Sequence, residues 1–332
     1  MKKGLLLFAV IVVFMAIFLF REFAEQEEVH TVGVLLTGEN RIDKLEGLKA
    51  GLEDLGYETE EMVFIVYEGE EEAELLEPYA RELVAEDDVQ VIASFGGIET
   101  QVLAEVMDDV GKTIPTVFIG MAAPLETGII SDFRHPGGNF TGINNYHMNL
   151  SAKRLELFTD MVPEVERVIL LYSEGIDISR RSLALTEEAA ERLSLPIVPF
   201  HVSDELDEEE LVSIVQPGDG LMTLPSFQIE GLTEEIVSFA KDENLPTMGM
   251  YDYEVEAGFL LGYGSSFYEQ GLQAARQISL ILQGNDPKDI PVELPDQISF
   301  YMNEDVREQL NVTVDENLLK LVDPIRNGGV GE

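Results

Sequence analysis

From Thr31 onward the chain is written in two alternating periods. Short runs such as TVGVLL (31–36), MVFIVY (62–67), VQVIASF (89–95) and PTVFIG (115–120) are almost wholly apolar, rich in β-branched residues and bounded by turn residues. That pattern predicts strands buried on both faces. Between the runs, apolar residues return every third or fourth position. Ile42, Leu45, Leu48, Leu52 and Leu55 outline one helix face that Gly56 ends, and further helices are expected over 71–85 and 99–109. Strand and helix in alternation predict a parallel sheet with helices on both sides.

After residue 150 the cycle restarts. A helix over 151–161 leads to RVILLY (167–172), a helix over 179–193 to PIVPFH (196–201), and a helix over 208–215 to GLMTL (220–224). A helix over 229–243 precedes PTMGM (246–250), then GFLLGYG (258–264) and a helix over 268–282. The halves share this grammar without a residue-level repeat, so two α/β lobes are expected. At their junction stands HPGGNFTGINNY (135–146). Gly137 and Gly138 permit positive φ, Asn139 tolerates left-handed geometry, and the Thr141 hydroxyl can tie a turn to the backbone. Such a segment suits a crossing between lobes and equally an ordinary surface turn.

Composition narrows the function classes. The length of 332 residues accommodates two domains, and a hydrophobic content of 45% is enough for packed cores. There is no cysteine, which excludes disulfides, thiolate metal sites and a cysteine nucleophile. The net charge of −43, from 64 acidic against 21 basic residues, argues against binding nucleic acid or anionic headgroups. The acidic clusters at 68–74 and 204–210 lack calcium-loop spacing and read as solvated helix starts. A surface this acidic suits high salt, where screening weakens self-repulsion.

The first 23 residues are a separate object. MKK precedes 17 apolar residues, Gly4 to Phe20, followed by Arg21 and Glu22. As a helix this run reaches about 25 Å, close to the span of a hydrocarbon core. Lys2 and Lys3 favour the cytoplasmic side, which sends the body outside. The segment reads as an uncleaved membrane anchor or a cleaved signal peptide; its long apolar run and the poor cleavage site at Glu22-Phe23-Ala24 favour the anchor.

No reaction is legible. His30, His135, His147 and His201 form no HExxH and no i, i+4 pair, and GYGSS (262–266) does not fit a nucleophile elbow. Neither GxGxxG nor a phosphate loop with its lysine is present; Phe95-Gly96-Gly97 offers an anion cradle at a helix start, a two-glycine signal only. The expectation is a protein that is not an enzyme, with no cofactor and no metal. What the architecture predicts is a cleft, because ligands of open parallel sheets sit beyond the carboxyl ends of the strands. The loops there are 37–40, 94–97, 120–124, 144–147, 172–175, 224–228 and 251–253.

PGGNFTGI, about 105 residues after the first strand, resembles the signature of ABC-transporter substrate-binding proteins related to tryptophan and tyrosine binders. GLKAGLEDLGY (47–57), TIPTVFIG (113–120), YEQGLQAARQISLILQGNDPKDIPVELP (268–295) and FYMNEDVREQLNVTV (300–314) agree in order and spacing. The resemblance runs from Thr31 to Val322. It implies a type I periplasmic-binding fold: two doubly wound parallel-sheet lobes joined by a hinge, preceded by the N-terminal hydrophobic helix of 1–23. Lobe 1 would take 31–142 plus part of 258–322, and lobe 2 143–257 plus the rest of 258–322. It further implies an extracytoplasmic location and capture of a small molecule for an ABC permease and its ATPase. A ligand-sensing module reporting to a membrane partner is the alternative.

Expected ligand contacts are Thr37, Ser94, Phe95, Gly96, Met121, Ala122, Asn145, Tyr146, Tyr172, Ser226, Phe227, Tyr251 and Asp252. Pro136, Gly137, Gly138, Asn139, Thr141 and Gly142 carry the hinge signature. The chain departs from the family pattern where Ala123, Asn145, Ser226 and Tyr251 replace acidic residues suited to an ammonium group, although Asp252 adjoins the last. An amino acid or a flat apolar solute is the expected ligand class, with Phe95, Tyr146, Phe227 and Tyr251 available for stacking.

Overall fold

The computed structural model describes residues 29–69, 73–314 and 317–326, so the segment expected as an N-terminal helix lies outside the described residues. The first sheet contains β1 (His30–Leu36), β2 (Met62–Glu68), β3 (Val91–Ser94), β4 (Thr116–Met121) and β5 (Phe140–Asn144). Their order is β2-β1-β3-β4-β5 and every pairing is parallel. Alternation along β1 sends Val32, Val34 and Leu36 to one face, where they meet Leu45, Leu48 and Leu52 of α1 (Ile42–Asp54). Leu35 points to the other face, beneath α2 (Leu76–Ala85) and α3 (Gly97–Val110). Each fully buried leucine here contributes about 1.5–3 kcal/mol over the exposed state.

The second lobe opens with α4 (His147–Met161), followed by β6 (Arg167–Tyr172), α5 (Asp177–Leu193), β7 (Ile197–His201), α6 (Glu208–Ile214) and β8 (Asp219–Thr223). Next come α7 (Phe227–Gly231), α8 (Thr233–Asp242), β9 (Thr247–Gly249), α9 (Asp252–Ala257) and β10 (Leu261–Gly264). The single helix expected over 229–243 is therefore two. Leu232 leaves helical geometry with φ −101° and ψ 18°, and the Thr233 hydroxyl donates to the Glu230 carbonyl at 2.8 Å as the next helix starts.

The chain then returns to lobe 1 as α10 (Phe267–Leu282), which lies on α1 in backbone contact. A Cβ on Gly47 would stand 2.0 Å from the Tyr268 carbonyl oxygen, and one on Gly271 1.9 Å from that of Lys44. These glycines let α10 cover the same face of the first sheet as α1. A final crossing delivers β11 (Ser299–Asn303), α11 (Glu304–Leu310) and β12 (Asp323–Ile325) to the second sheet, ordered β12-β11-β10-β9-β8-β6-β7. One of its pairings, β10 with β11, is antiparallel, unlike the all-parallel expectation. Strand β10 runs toward the interlobe crossing and β11 runs away from it, so neighbours joined through the other lobe must oppose.

Three segments connect the lobes: Asn145–Tyr146, Ser265–Ser266 and the stretch 294–298. The segment 136–139 is not one of them, which corrects its reading as the crossing. Because β5 parallels β4, PGGN enters the strand at the end remote from the other lobe. There Gly137 and Gly138 turn with φ of +71° and +89°, and Asn139 Nδ2 donates to the Ile114 carbonyl at 2.9 Å. The second half of the signature does brace a crossing. Thr141 Oγ1 donates to the Ile290 carbonyl at 2.8 Å, and the Glu293 amide to the Gly142 carbonyl at 3.0 Å.

Candidate functional site

The carboxyl ends of β3, β4, β6, β8 and β9 face one another across a cavity of about 330 Å³. Lobe 1 supplies Gly96, Gly97 and Ile98 at the start of α3, and Met121 to Ala123 after β4. Lobe 2 supplies Gly175 to Ile178 at the start of α5, Pro225 to Phe227, and Tyr251; Asn145 stands at the crossing between them. A bulge sets the β4 side. The register with β5 shifts between Ile119 and Met121 at Gly120, whose φ is +85°, and Asn145 Nδ2 donates to the Gly120 carbonyl at 2.7 Å. The position a Cβ would take at Gly120 is filled by Gln270 Oε1 at 1.9 Å and Lys44 Nζ at 2.9 Å, so glycine is required there on two counts.

A charged frame joins the lobes. Arg41, just before α1, donates to Glu99 of α3 at 2.5 Å within lobe 1 and to Glu230 of α7 at 2.8 Å in lobe 2. Glu99 is wholly buried and also accepts the Thr37 amide at 3.1 Å. Glu230 takes the Tyr251 hydroxyl at 3.3 Å on its other oxygen. Burial works against the Arg41 charge, but Glu99 and Glu230 outweigh it and hold the guanidinium above its ordinary range. The frame divides the cleft: beyond it a second space of about 380 Å³ is bounded by Thr37, Asn40, Phe227, Tyr253 and Phe267.

Lys44 lies one helical turn along α1 and is buried. Its Nζ donates to the Phe95 and Ile119 carbonyls at 3.1 and 3.0 Å and sits 4.4 Å from the Phe267 ring centre. Burial, with Arg41 adding repulsion, brings its pKa down to about 7. Behind it Tyr251 packs against Phe267, Tyr253 and His147 at centroid distances of 4.4, 5.3 and 4.7 Å. Burial, helped by Arg154 and then Lys44, keeps His147 well below the usual imidazole range, so the ring is neutral. Glu254 caps the start of α9 through the Met250 and Tyr251 amides, and burial pushes it up to about 7.

Two α/β lobes, three crossings and a cavity between them at the strand ends agree with the sequence resemblance, and a direct comparison decides the matter. The family model described as ABC transporter substrate binding protein matches residues 30–325. The chain belongs to that family. Over 203 residues it is 24% identical to the tyrosine-binding protein of Clostridioides difficile strain R20291, a match spanning 60% of this chain and 58% of that relative. A conserved domain protein from Vibrio cholerae shares the fold at a TM-score of 0.81 and 22% identity, covering 89% of this chain and 99% of that one. An ABC domain in complex with L-Trp from Streptococcus pneumonia does so at 0.79 and 22%, with the same coverage. A ligand-free, open substrate-binding protein with adhesive properties from Clostridium difficile follows at 0.68 and 17%, covering 90% and 100%.

In this substrate-binding protein the expected contacts divide. Gly96, Met121, Ala122, Asn145, Ser226, Phe227 and Tyr251 border the main cavity, while Thr37 borders the space beyond the Arg41 frame. Ser94 and Phe95 border neither. Both are fully buried, Phe95 in the core beneath α1 and Ser94 bonded to the Thr100 hydroxyl. Tyr146 spends its left-handed φ of 61° starting α4, and Tyr172 packs on His201 at 5.9 Å. Asp252 lies at the start of α9, outside both spaces, with burial raising it to about 6. Arg41, Lys44, Glu99 and Glu230 were not expected. Lys44 was detectable in principle: it stands four and eight residues before Leu48 and Leu52, on the face that the apolar period buries.

Proposed function

We propose that this chain is the extracytoplasmic solute-binding subunit of an ABC importer, tethered or exported by its apolar N-terminal segment. It would take one small molecule into the interlobe cavity, close about its three crossing segments and present the closed form to a permease driven by an ATPase. The observation that carries this reading is the cavity built jointly by both lobes and bridged by Arg41 and Glu230. A pocket of a few hundred Å³ with apolar walls and a few convergent polar groups is the usual form of such a site, and domain closure its usual motion. The tyrosine-binding relative and the L-Trp complex support a ligand of amino-acid size with an apolar side group.

Differential scanning fluorimetry in high salt, across amino acids, organic acids, nucleosides, polyols and short peptides, tests it. One class should raise the melting temperature, by several degrees at a hundred times its Kd, since ligation then adds about 2.7 kcal/mol. No response from any class would count against solute capture.

A further inference from the structure

The carboxylates that line the main cavity are already bonded to cations or a hydroxyl, whereas the Lys44 ammonium and the start of α3 have no carboxylate partner among the described residues. Glu230 gives one oxygen to Arg41 and the other to the Tyr251 hydroxyl. Asp177 gives one to Arg180 at 2.8 Å and the other to Arg181 at 2.5 Å. Asn145 Oδ1 receives the His147 amide, and Ser226 Oγ lies 2.8 Å from Ser173 Oγ. Thr127 turns its hydroxyl onto the Ala123 carbonyl. Of the described residues that line this space, Asp177 and Glu230 are the carboxylates, and both oxygens of each are already bonded.

The donors are different. The start of α3 at Gly97 has no side-chain cap, because Gly96 stands at the capping position, and the first amides of a helix have no partner within it. Lys44 borders the same cavity, with two neutral carbonyls as its hydrogen-bond partners and, among the described residues, no carboxylate within ion-pair reach. A buried ammonium without a counterion is costly. An anion placed between Lys44 and the α3 amides would answer both, while Ile98, Met121, Ile178 and Phe227 wall the remaining volume.

We propose that the solute of this cleft is a carboxylate anion with an apolar body and no ammonium group, held through its carboxylate by Lys44 and the start of α3. The proposal rests on the solute-capture reading and names its substrate class. It carries a proton signature. Lys44, brought down to about 7, loses its proton above neutrality in the free protein, and a carboxylate in contact restores it. The charges facing Lys44 are Arg41 on its own helix side, Glu99 from α3 and Glu230 from α7; His147 from α4 is neutral, and α10 presents the Phe267 ring. Arg41 opposes the Lys44 charge and both glutamates favour it.

Isothermal titration of the protein with matched sets decides it: 3-phenylpropanoate and 4-methylpentanoate, then L-phenylalanine and L-leucine, then 2-phenylethylamine and 3-methylbutylamine, with inorganic phosphate and myo-inositol alongside. The acids should bind at least as tightly as the amino acids, and the amines should not bind. Titration at pH 8.5 in two buffers of different ionisation enthalpy should show uptake of close to one proton, and none at pH 6. Affinity should fall about tenfold per pH unit above 7 until the bound-state pKa is reached. Lys44→Met should weaken acid binding by at least about tenfold at pH 6, as expected for loss of a charge-assisted bond, and abolish proton uptake. If that variant fails to fold, proton uptake by the unmodified protein decides alone. Binding of amino acids that is lost with their amino group overturns the proposal, as does an amine, phosphate or inositol hit, and each leaves solute capture standing. Silence from every compound overturns both.

Discussion

Replacing Glu230 by glutamine tests whether the ion pair across the cleft holds the lobes together. Arg41 keeps Glu99 as a partner whether the lobes are closed or apart, because both belong to lobe 1. Tyr251 likewise stays with Glu230 in lobe 2. What closure adds is the 2.8 Å bond from Arg41 to Glu230, between side chains only 10% and 15% exposed. A hydrogen bond to a charged group contributes about 1.5–3 kcal/mol net. Glutamine retains an acceptor oxygen for Arg41 but no charge, which removes roughly half of that. The expected loss is therefore about 0.8–1.5 kcal/mol, a factor of about four to ten in the closed-to-open ratio. Where the closed form is the minor state without ligand, the apparent Kd should rise by the same factor. Where the closed form is instead the major state without ligand, small-angle scattering should show a larger radius of gyration for Glu230→Gln, and in either case titration should show a weaker affinity. An unchanged radius together with an unchanged Kd would refute the latch. So would a tighter Kd, which would mean that desolvating Glu230 opposes closure more than its pairing assists it.

The remaining predictions bear on stability and rate. Glu254 and Asp252 are raised to about 7 and 6, so the folded chain holds protons there that the unfolded chain releases. Their contribution is complete below the ordinary carboxylate range and is lost as pH rises through 7. The melting temperature should accordingly fall between pH 5 and 7.5. Glu254→Gln should remove much of that slope, which is worth about 3 kcal/mol for Glu254 alone. Gly271→Ala puts a Cβ 1.9 Å from the Lys44 carbonyl and forces α1 and α10 apart. A loss of about 1–3 kcal/mol in urea unfolding is expected, as for other overpacked sites. Because the net charge is −43, anionic solutes are repelled at long range. Stopped-flow association of a carboxylate ligand should accelerate as salt rises from 0.01 M, where the Debye length is about 30 Å, to 1 M, where it is about 3 Å.

The sequence was most legible where one physical demand dominates. β6 forms over 167–172 as its apolar run predicts, and β1, β2 and β4 fall within a residue of expectation, because strands buried on both faces leave an unbroken apolar signature. α4 begins four residues ahead of the predicted 151, since Asn145 and Tyr146 turn the chain into it with bonds no period reveals. β11 left a weak signal. SFYMN reads as apolar, but its direction depends on α10 having returned to lobe 1, a contact made by glycines and visible only in three dimensions. Composition leaves the signature at 136–142 even between a crossing and a surface turn, because its role follows from which end of β5 it occupies.

The site resisted for a different reason. Loops at strand ends were found because topology places them, so glycines and small residues such as Gly96, Ala122 and Ser226 were within reach. The charged frame was not, because a sequence with 64 acidic residues hides the two glutamates, Glu99 and Glu230, that pair with Arg41. Bases are informative in such a chain because they are scarce: among the described residues, Arg41 just before α1 and Lys44 in its first turn line the main cavity. Arg41 is answered by two carboxylates, and Lys44 is in contact with none among the described residues. In a molecule with acids to spare on its surface, a buried lysine left without one is best understood as a place kept for an anion that arrives from outside.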